Sequence, residues 1–242
     1  MIRIYTSSFR LFFSALPLLL LLAVILEGLA LMFPGTSGAT AGRTIGLLFL
    51  AYMFHRHFLF GEPLTLRRQT GAADTRPFRA GRFILIALAL LVLPLAGALW
   101  VTYSVQSPGA ARADRAVTML LTMMPLYLLA LGLFGTLLPA SVTRDPRYTL
   151  RAGMQQALPT MGRLILGSGL VGAFNLVLVS GLEIWASQWP ALQGPVPMAL
   201  LGLLATTFGF LTSILGAATL CAAYDRVIAR QDASSQSAAP AA

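Results

Sequence analysis

Three polar residues lie within otherwise apolar stretches of this sequence, and their side chains could hold an ion. They are Glu27, Glu183 and Asn175. An ionisable group inside a membrane span costs about 3 kcal/mol on insertion scales and usually has a partner or a task. Glu27 could bind a cation or relay a proton, with the other two completing one polar site. The alternative is a protonated or solvated Glu27, an interfacial Glu183 beside Trp185, and an Asn175 that only makes a packing hydrogen bond.

Other reactive residue types lack the spacing that chemistry requires. His55 and His57 are two residues apart, so a helix points them to different sides, whereas a helical metal pair needs a spacing of three or four. Ser168 lies between glycines but lacks the strand-turn-helix context of a nucleophile elbow. Cys221 is the only cysteine. We therefore expect no cofactor, metal or catalytic site, and an enzyme is the less favoured class.

The composition points to an integral membrane protein. Of 242 residues, 57% are hydrophobic and 10% are charged, well under the share of charged residues in soluble domains. A spanning helix needs about 20 apolar residues. Six runs qualify, at about residues 11–33, 44–60, 83–103, 117–140, 164–185 and 197–224. The sequence thus predicts an all-α polytopic fold in one domain, 1–230, with a disordered tail at 231–242.

The arginines predict the orientation of these spans. All 17 basic residues are arginines, and cytoplasmic loops carry the excess of basic residues. With the N-terminus inside, 14 arginines fall in cytoplasmic segments and 3 in outer loops. Both termini are therefore expected in the cytoplasm of a bacterial inner membrane. Because the arginines are dispersed between apolar runs, this rule accounts for the net charge of +9 without nucleic acid.

The six spans also divide into three helical hairpins, each entered through a basic segment. The outer turns carry Pro34-Gly35, Pro108-Gly109 and Pro190-Ala191. This similarity is consistent either with internal triplication or with the shared constraints of the membrane.

The segment before span five predicts an amphipathic helix on the inner leaflet. Asp145 can cap it and Pro146 can occupy its first position. Apolar residues then recur at helical spacing from Leu150 to Met161, opposite a polar face. A shorter version precedes span three. Four arginines of these segments are expected to contact anionic lipid headgroups: Arg147, Arg151, Arg79 and Arg82.

Small residues predict close packing of span six. They recur every four residues: Ala205, Gly209, Ser213, Ala217 and Cys221. A stripe of this kind lets two helix backbones approach closely. We expect it to pack against span five, with homodimerisation through span six as the alternative.

One stretch resembles a known family. The residues Leu137-Leu138-Pro139-Ala140-Ser141-Val142, followed by Arg151-Ala152-Gly153 and another span, are similar to the bacterial six-helix membrane domains attached to some glycerophosphodiester phosphodiesterases and to their standalone relatives. The resemblance covers about 40 residues. It implies a six-helix membrane domain and no catalytic residue, because the soluble hydrolase domain is not part of this sequence.

Three classes of function follow from these patterns. The large apolar volume, scarce intramembrane polarity and short loops favour a non-enzymatic scaffold or assembly partner for other membrane components. A small permease or ion-coupled transporter using Glu27 is the second class. A membrane enzyme acting on lipid is the third, and it would need a polar cluster that the sequence does not supply.

Overall fold

The computed structural model describes residues 2–33, 37–64, 79–106, 112–189 and 194–237. Within these ranges the secondary structure consists of nine α-helices and one π-helical turn, without β-strands. The helices are α1 (Ile2–Met32), α2 (Ser37–Phe60), α3 (Gly81–Val105), α4 (Arg112–Phe134), α5 (Leu137–Thr143), α6 (Leu150–Met154), α7 (Ala157–Leu164), α8 (Leu170–Ser187) and α9 (Pro195–Ser237). The π turn, Ile165–Gly169, connects α7 to α8.

Five helical segments of the described chain are long and apolar enough to cross a bilayer. They are Ile2–Leu29, Gly81–Val105, Val117–Phe134, Ala157–Ala186 and Val196–Ser234. They cover the predicted spans other than the second. The helix at the second span, α2, is not among the five because Arg43, Arg56 and two histidines lower its mean hydropathy. The all-α polytopic membrane class is confirmed, with five candidate spans in the described residues where the sequence predicts six.

Helix α3 illustrates how the sequence divides a span between protein and lipid. Its buried residues recur every three or four positions, as a helix with one packed side requires: Phe83, Ala87, Leu90, Pro94, Ala98 and Thr102. Large apolar residues on its other side, such as Leu85 and Trp100, are exposed. Gly97 allows Leu126 of α4 to come close, since an ideal Cβ there would lie 3.2 Å from Leu126 Cδ1.

The contacts divide the chain into two compact units. Unit 1 comprises residues 1–78 and 165–219, and unit 2 comprises 79–164 and 220–242. Unit 1 has a core of fully buried side chains that includes Leu19, Phe54 and Ile214. In unit 2, α4 packs against α3, α6 and α7. The predicted Pro-containing outer turns lie outside the described residues.

The segment before span five is helical in two short pieces, α6 and α7. The sequence assigns the cap to Asp145, whereas in the structure Thr149 caps α6 by accepting the Ala152 N–H at 3.4 Å. Asp145 instead accepts the Arg147 N–H at 2.9 Å, because an aspartate readily closes a turn onto the backbone two residues later. The predicted apolar side is exposed at Leu150, Met154 and Leu158, as lipid contact requires.

The last helix is longer than the sequence indicates. Helix α9 continues to Ser237, although residues from 231 onward are predicted to be a disordered tail. The contacts of this extension include a hydrogen bond from Gln231 Nε2 to Thr149 Oγ1 at 3.2 Å and an ion pair in which Arg147 Nη1 lies 3.0 Å from Asp232 Oδ1. The part of the predicted tail from 238 to 242 lies outside the described residues.

Candidate functional site

The main candidate site of unit 1 is built around the carboxylate of Glu27, near the end of α1. Its Oε1 lies 3.0 Å from Arg43 Nη2 and accepts a hydrogen bond from Thr206 Oγ1 at 2.5 Å. Arg43 Nη2 also donates to Thr206 Oγ1 at 2.9 Å. One acidic, one basic and one hydroxyl group therefore form a closed triangle that joins α1, α2 and α9.

Burial makes this triangle costly to break. The Glu27 side chain is 15% exposed and the Arg43 side chain 41% exposed. A carboxylate removed from water is tolerated when an opposite charge and a hydrogen bond replace its solvation. The structure thus supplies Glu27 with a partner inside the protein.

The partner of Glu27 is a residue that the sequence assigns to an outer loop. Helix α2 begins at Ser37, seven residues before the predicted span, so Arg43 lies within the helix. The sequence carries one hint of the pair, because Arg43 and Glu27 flank the same predicted outer turn. It carries no comparable hint of Thr206, whose position follows from the packing of α9.

Gly202 gives the carboxylate its space on α9. It lies one helical turn before Thr206, on the same side of the helix. An ideal Cβ at Gly202 would come within 2.7 Å of Glu27 Oε2. A Cβ at this position would therefore require the Glu27 carboxylate to move.

Asn175, the third residue of the predicted polar site, contacts α9 at Ala205, the residue before Thr206. Its Nδ2 donates to the backbone oxygen of Ala205 at 3.1 Å. Its Oδ1 is buried and has no hydrogen-bond partner among the described residues. The structure thus brings Glu27 and Asn175 to neighbouring residues of one helix. Glu183 belongs to α8, and its side chain lies outside the described part of the structure.

An apolar groove runs beside the triangle. It has a volume of about 300 Å³. Glu27 is its polar member, and the other lining residues come from α1 and α9: Val24, Gly28, Leu31, Val196, Ala199, Leu200 and Leu203. A small apolar molecule or a lipid chain would fit here with a polar end toward the carboxylate.

Helices α8 and α9 pack together at one edge of the predicted stripe, which includes Ala205 but passes to one side of Thr212 and Gly216. Gly172 faces Thr212, with an ideal Cβ 3.3 Å from Thr212 Cγ2, and Gly216 lies beside Ser168. In the predicted stripe, Ala217 is buried, Ser213 is exposed, and an ideal Cβ at Gly209 meets no atom within 4 Å. Asn175, one turn after Gly172 on α8, contacts the same side of α9 through its hydrogen bond to the backbone oxygen of Ala205.

His55, Arg56 and His57 lie near the C-terminal end of α2. Arg56 is 6% exposed and pairs with Glu62, while its Nη1 donates to Tyr52 Oη at 3.1 Å. His57 Nδ1 lies 2.7 Å from the backbone oxygen of Glu62. Gly61 turns the chain with φ of 70°, a value that favours glycine. Among the described residues no group of three His, Cys, Asp or Glu side chains could hold a metal.

Unit 2 carries an ionic cluster on its surface. Arg147 bonds Asp145 at 2.6 Å and Asp232 at 3.0 Å, and its side chain is 56% exposed. The hydrogen bonds from Arg147 lower the pKa of the Asp145 carboxyl below its usual range. The other three arginines predicted to contact lipid headgroups, Arg151, Arg79 and Arg82, are exposed.

Two hydrogen-bonded pairs of hydroxyl groups lie next to the Arg147 cluster. Thr136 Oγ1 and Tyr148 Oη are 2.8 Å apart, and Thr143 Oγ1 and Tyr224 Oη are 2.7 Å apart. Gly153 leaves room for the first pair, because a Cβ there would overlap the Tyr148 hydroxyl and lie 2.8 Å from Thr136 Oγ1. The sequence gives no sign of these pairs, since each joins residues from separate elements.

Comparison with family models, with curated proteins and with solved structures finds no match to this chain.

Proposed function

We propose that this protein is a non-enzymatic scaffold or assembly partner in a bacterial inner membrane. The observation that carries the proposal is the closed triangle of Glu27, Arg43 and Thr206. Its groups satisfy one another and tie three helices together, so the intramembrane charge serves the fold. A protein that organises membrane components needs a rigid helical frame of this kind.

The proposal includes both termini in the cytoplasm and contact with anionic lipids on that side. Its support is the distribution of the arginines along the sequence and the exposure of Arg151, Arg79 and Arg82. A partner membrane helix is part of the proposal too, from another protein or a second copy of this chain. The open surface at Gly209 and Ser213 supports it, because small residues permit close helix contact. We also propose that this chain is related to the membrane domains attached to some glycerophosphodiester phosphodiesterases.

A double-mutant cycle on the full chain tests the structural role of the triangle. We expect Glu27→Gln and Arg43→Gln each to lower the free energy of unfolding in detergent by about 1–3 kcal/mol. Because the two residues share one interaction, the double variant should lose less than the sum. Additive losses would contradict the structural role.

Native mass spectrometry of the gently solubilised protein tests the proposed partner. A strictly monomeric species without copurifying protein would contradict the proposal of a partner.

A small permease or ion-coupled transporter is the second candidate. Two observations favour it: Glu27 lines the groove of about 300 Å³, and Asn175 buries an unpartnered acceptor among the described residues, one position from the triangle on α9. Proton or solute flux into proteoliposomes separates the candidates. Transport predicts a flux that Glu27→Gln abolishes while the fold persists, whereas a scaffold predicts no flux in either protein.

A further inference from the structure

The groove beside Glu27 exposes apolar side chains on two helices of unit 1. Its walls come from α1 and α9, and each of these helices contains a candidate membrane span. Four large residues of the groove are more than half exposed in the described chain: Val24, Leu31, Val196 and Leu200. Apolar residues at the surface of a spanning segment face lipid chains instead of water. A ligand of this groove would therefore enter it from the bilayer.

The size and the lining of the groove are those of a small-molecule site. Such sites are concave and mostly apolar, contain a few polar groups, and have volumes of about 300–1,000 Å³. The groove has a volume of about 300 Å³, with Glu27 as its polar member. Gly28 keeps one side of it open, because an ideal Cβ at this lining residue would meet no atom within 4 Å. At the lower end of the size range, the groove suits one alkyl chain better than a whole two-chain lipid.

Glu27 offers this groove a carboxylate oxygen that can accept a further hydrogen bond. Its Oε1 accepts from Thr206 and lies 3.0 Å from Arg43 Nη2, whereas no residue of the described ranges donates a hydrogen bond to Oε2. Oε2 lies against α9 at Gly202, next to the lining residue Leu203. A partly buried acceptor without a donor is costly. A ligand in the groove that carries a donor at its polar end would remove this cost.

The charge balance of the triangle indicates which donor fits. Glu27 and Arg43 cancel each other, so the triangle carries no net charge. A ligand ammonium would bring an unpaired positive charge into apolar surroundings, and a ligand carboxylate or phosphate would meet the like charge of Glu27. An uncharged O–H group donates to Oε2 without either cost.

We propose that the groove binds a single-chain membrane alcohol, with the alkyl chain between α1 and α9 and the hydroxyl donating to Glu27 Oε2. The apolar walls hold the chain, and the carboxylate selects the uncharged polar end. Such binding requires neither a partner protein nor transport, so it is independent of both candidate functions.

Photolabelling of the full chain in lipid nanodiscs tests the position of the ligand. The nanodiscs contain only phosphatidylcholine, whose headgroup has no hydrogen-bond donor. The probe is dodecan-1-ol with a diazirine in its alkyl chain, and mass spectrometry identifies the labelled residues. We expect labelling of the lining residues of α1 and α9. In Gly28→Leu it should fall to background, because the new side chain fills open space in the groove.

Gly181→Leu is the matched control for Gly28→Leu. Gly181 is exposed on α8 of the same unit and is not a lining residue of the groove, and a Cβ there also meets no atom within 4 Å. This variant should be labelled like the parent protein. Equal labelling in Gly28→Leu and the parent, or an equal loss in Gly181→Leu, would overturn the proposal.

Competition by unlabelled compounds with the same alkyl chain tests the polar end. Dodecan-1-ol should displace the probe at about a tenfold lower concentration than its methyl ether, which has no donor, because hydrogen bonds to charged groups are the strong ones. Dodecanoate and dodecylammonium should compete more weakly than the alcohol. In Glu27→Gln the preference for the alcohol over the ether should shrink, since a neutral acceptor makes a weaker hydrogen bond.

Two competition results would contradict the role of the carboxylate: displacement by the ether as effective as that by the alcohol, or stronger displacement by either charged compound. If Glu27→Gln does not fold, the comparison of alcohol and ether in the parent protein still decides between these outcomes.

Discussion

Two ionic clusters of the described residues, around Glu27–Arg43 and around Arg147–Asp232, use the same pair of functional groups in different surroundings. In unit 1, Glu27 pairs with Arg43 at 3.0 Å, with side chains 15% and 41% exposed, whereas in unit 2, Arg147 pairs with Asp232 at 3.0 Å, with side chains 56% and 44% exposed. The carboxylate is the partner whose burial differs most. The distances are equal, but the burial differs. Water and salt screen the exposed pair, so its net contribution is small. We infer that the Glu27–Arg43 pair contributes more to the free energy of unfolding than the exposed Arg147–Asp232 pair.

The largest effect that separates the clusters is expected at Gly202. In Gly202→Val the added side chain would collide with the Glu27 carboxylate, whose Oε2 lies 2.7 Å from an ideal Cβ. We expect the free energy of unfolding to fall by about 2–3 kcal/mol in a detergent unfolding assay. The control is Gly209→Val, since a Cβ at Gly209 meets no atom within 4 Å. Equal losses in the two variants would mean that the carboxylate position is unimportant.

The second largest effect is expected at Gly153, because the Thr136–Tyr148 hydroxyl pair, rather than the exposed ion pair, should stabilise unit 2. Gly153→Ala would place a methyl group against the Tyr148 hydroxyl and separate it from Thr136. We expect a loss of about 1–2 kcal/mol in the free energy of unfolding. Gly162→Ala, where a Cβ meets no atom within 4 Å, should instead gain up to about 1 kcal/mol from helix propensity. If Gly153→Ala behaves like Gly162→Ala, the hydroxyl pair does not stabilise unit 2.

The third effect is a pH dependence from Asp145. Arg147 holds the pKa of the Asp145 carboxyl below its unfolded value of about 4. The carboxylate therefore favours folding at every pH above that unfolded value, and this contribution is lost as the pH falls through the folded pKa. Unfolding midpoints measured from pH 7 to pH 2 should fall less steeply at the acid end in Asp145→Asn and in Arg147→Gln than in the parent protein. An unchanged acid limb in both variants would rule out this linkage.

The smallest effect is expected at Asp232, and salt should reveal it. In Asp232→Asn we expect a slight decrease of the unfolding midpoint at low ionic strength and none at high ionic strength, because exposed charges are screened. The decrease caused by Arg43→Gln should persist in salt. A salt-resistant loss in Asp232→Asn would contradict the distinction between the two clusters.

The sequence predicts the fold class and five of the helical segments well, because the length of an apolar run depends on local composition alone. Helix ends are less predictable. Arg43 and Gln231 lie inside helices although their polarity suggests a loop and a tail, since their partners Glu27 and Thr149 are distant in sequence. The spacing of small residues predicts that α8 and α9 can approach, but not the rotation of α9, which is fixed by side-chain contacts.

The candidate site shows the same limit. Glu27 and Asn175 stand out in the sequence because polar residues are rare within apolar runs. Thr206 and Gly202 do not, because threonine and glycine are common in membrane helices and only the packing of α9 brings them to the carboxylate. Residues with an unusual chemistry for their surroundings were identifiable, whereas those that complete the geometry were not.

The π turn at Ile165–Gly169 has a consequence for the engineering of this chain. A π turn accommodates one residue more than an α turn, so it shifts the angular position of everything that follows by about 100°. Removing a single residue there should restore an ordinary α turn and leave the side chains of α8 in their present directions, whereas removing one from the middle of α8 would turn every later side chain of that helix by about 100°. A deletion of one residue in the π turn should consequently be less harmful to the packing of α8 than the same deletion within α8.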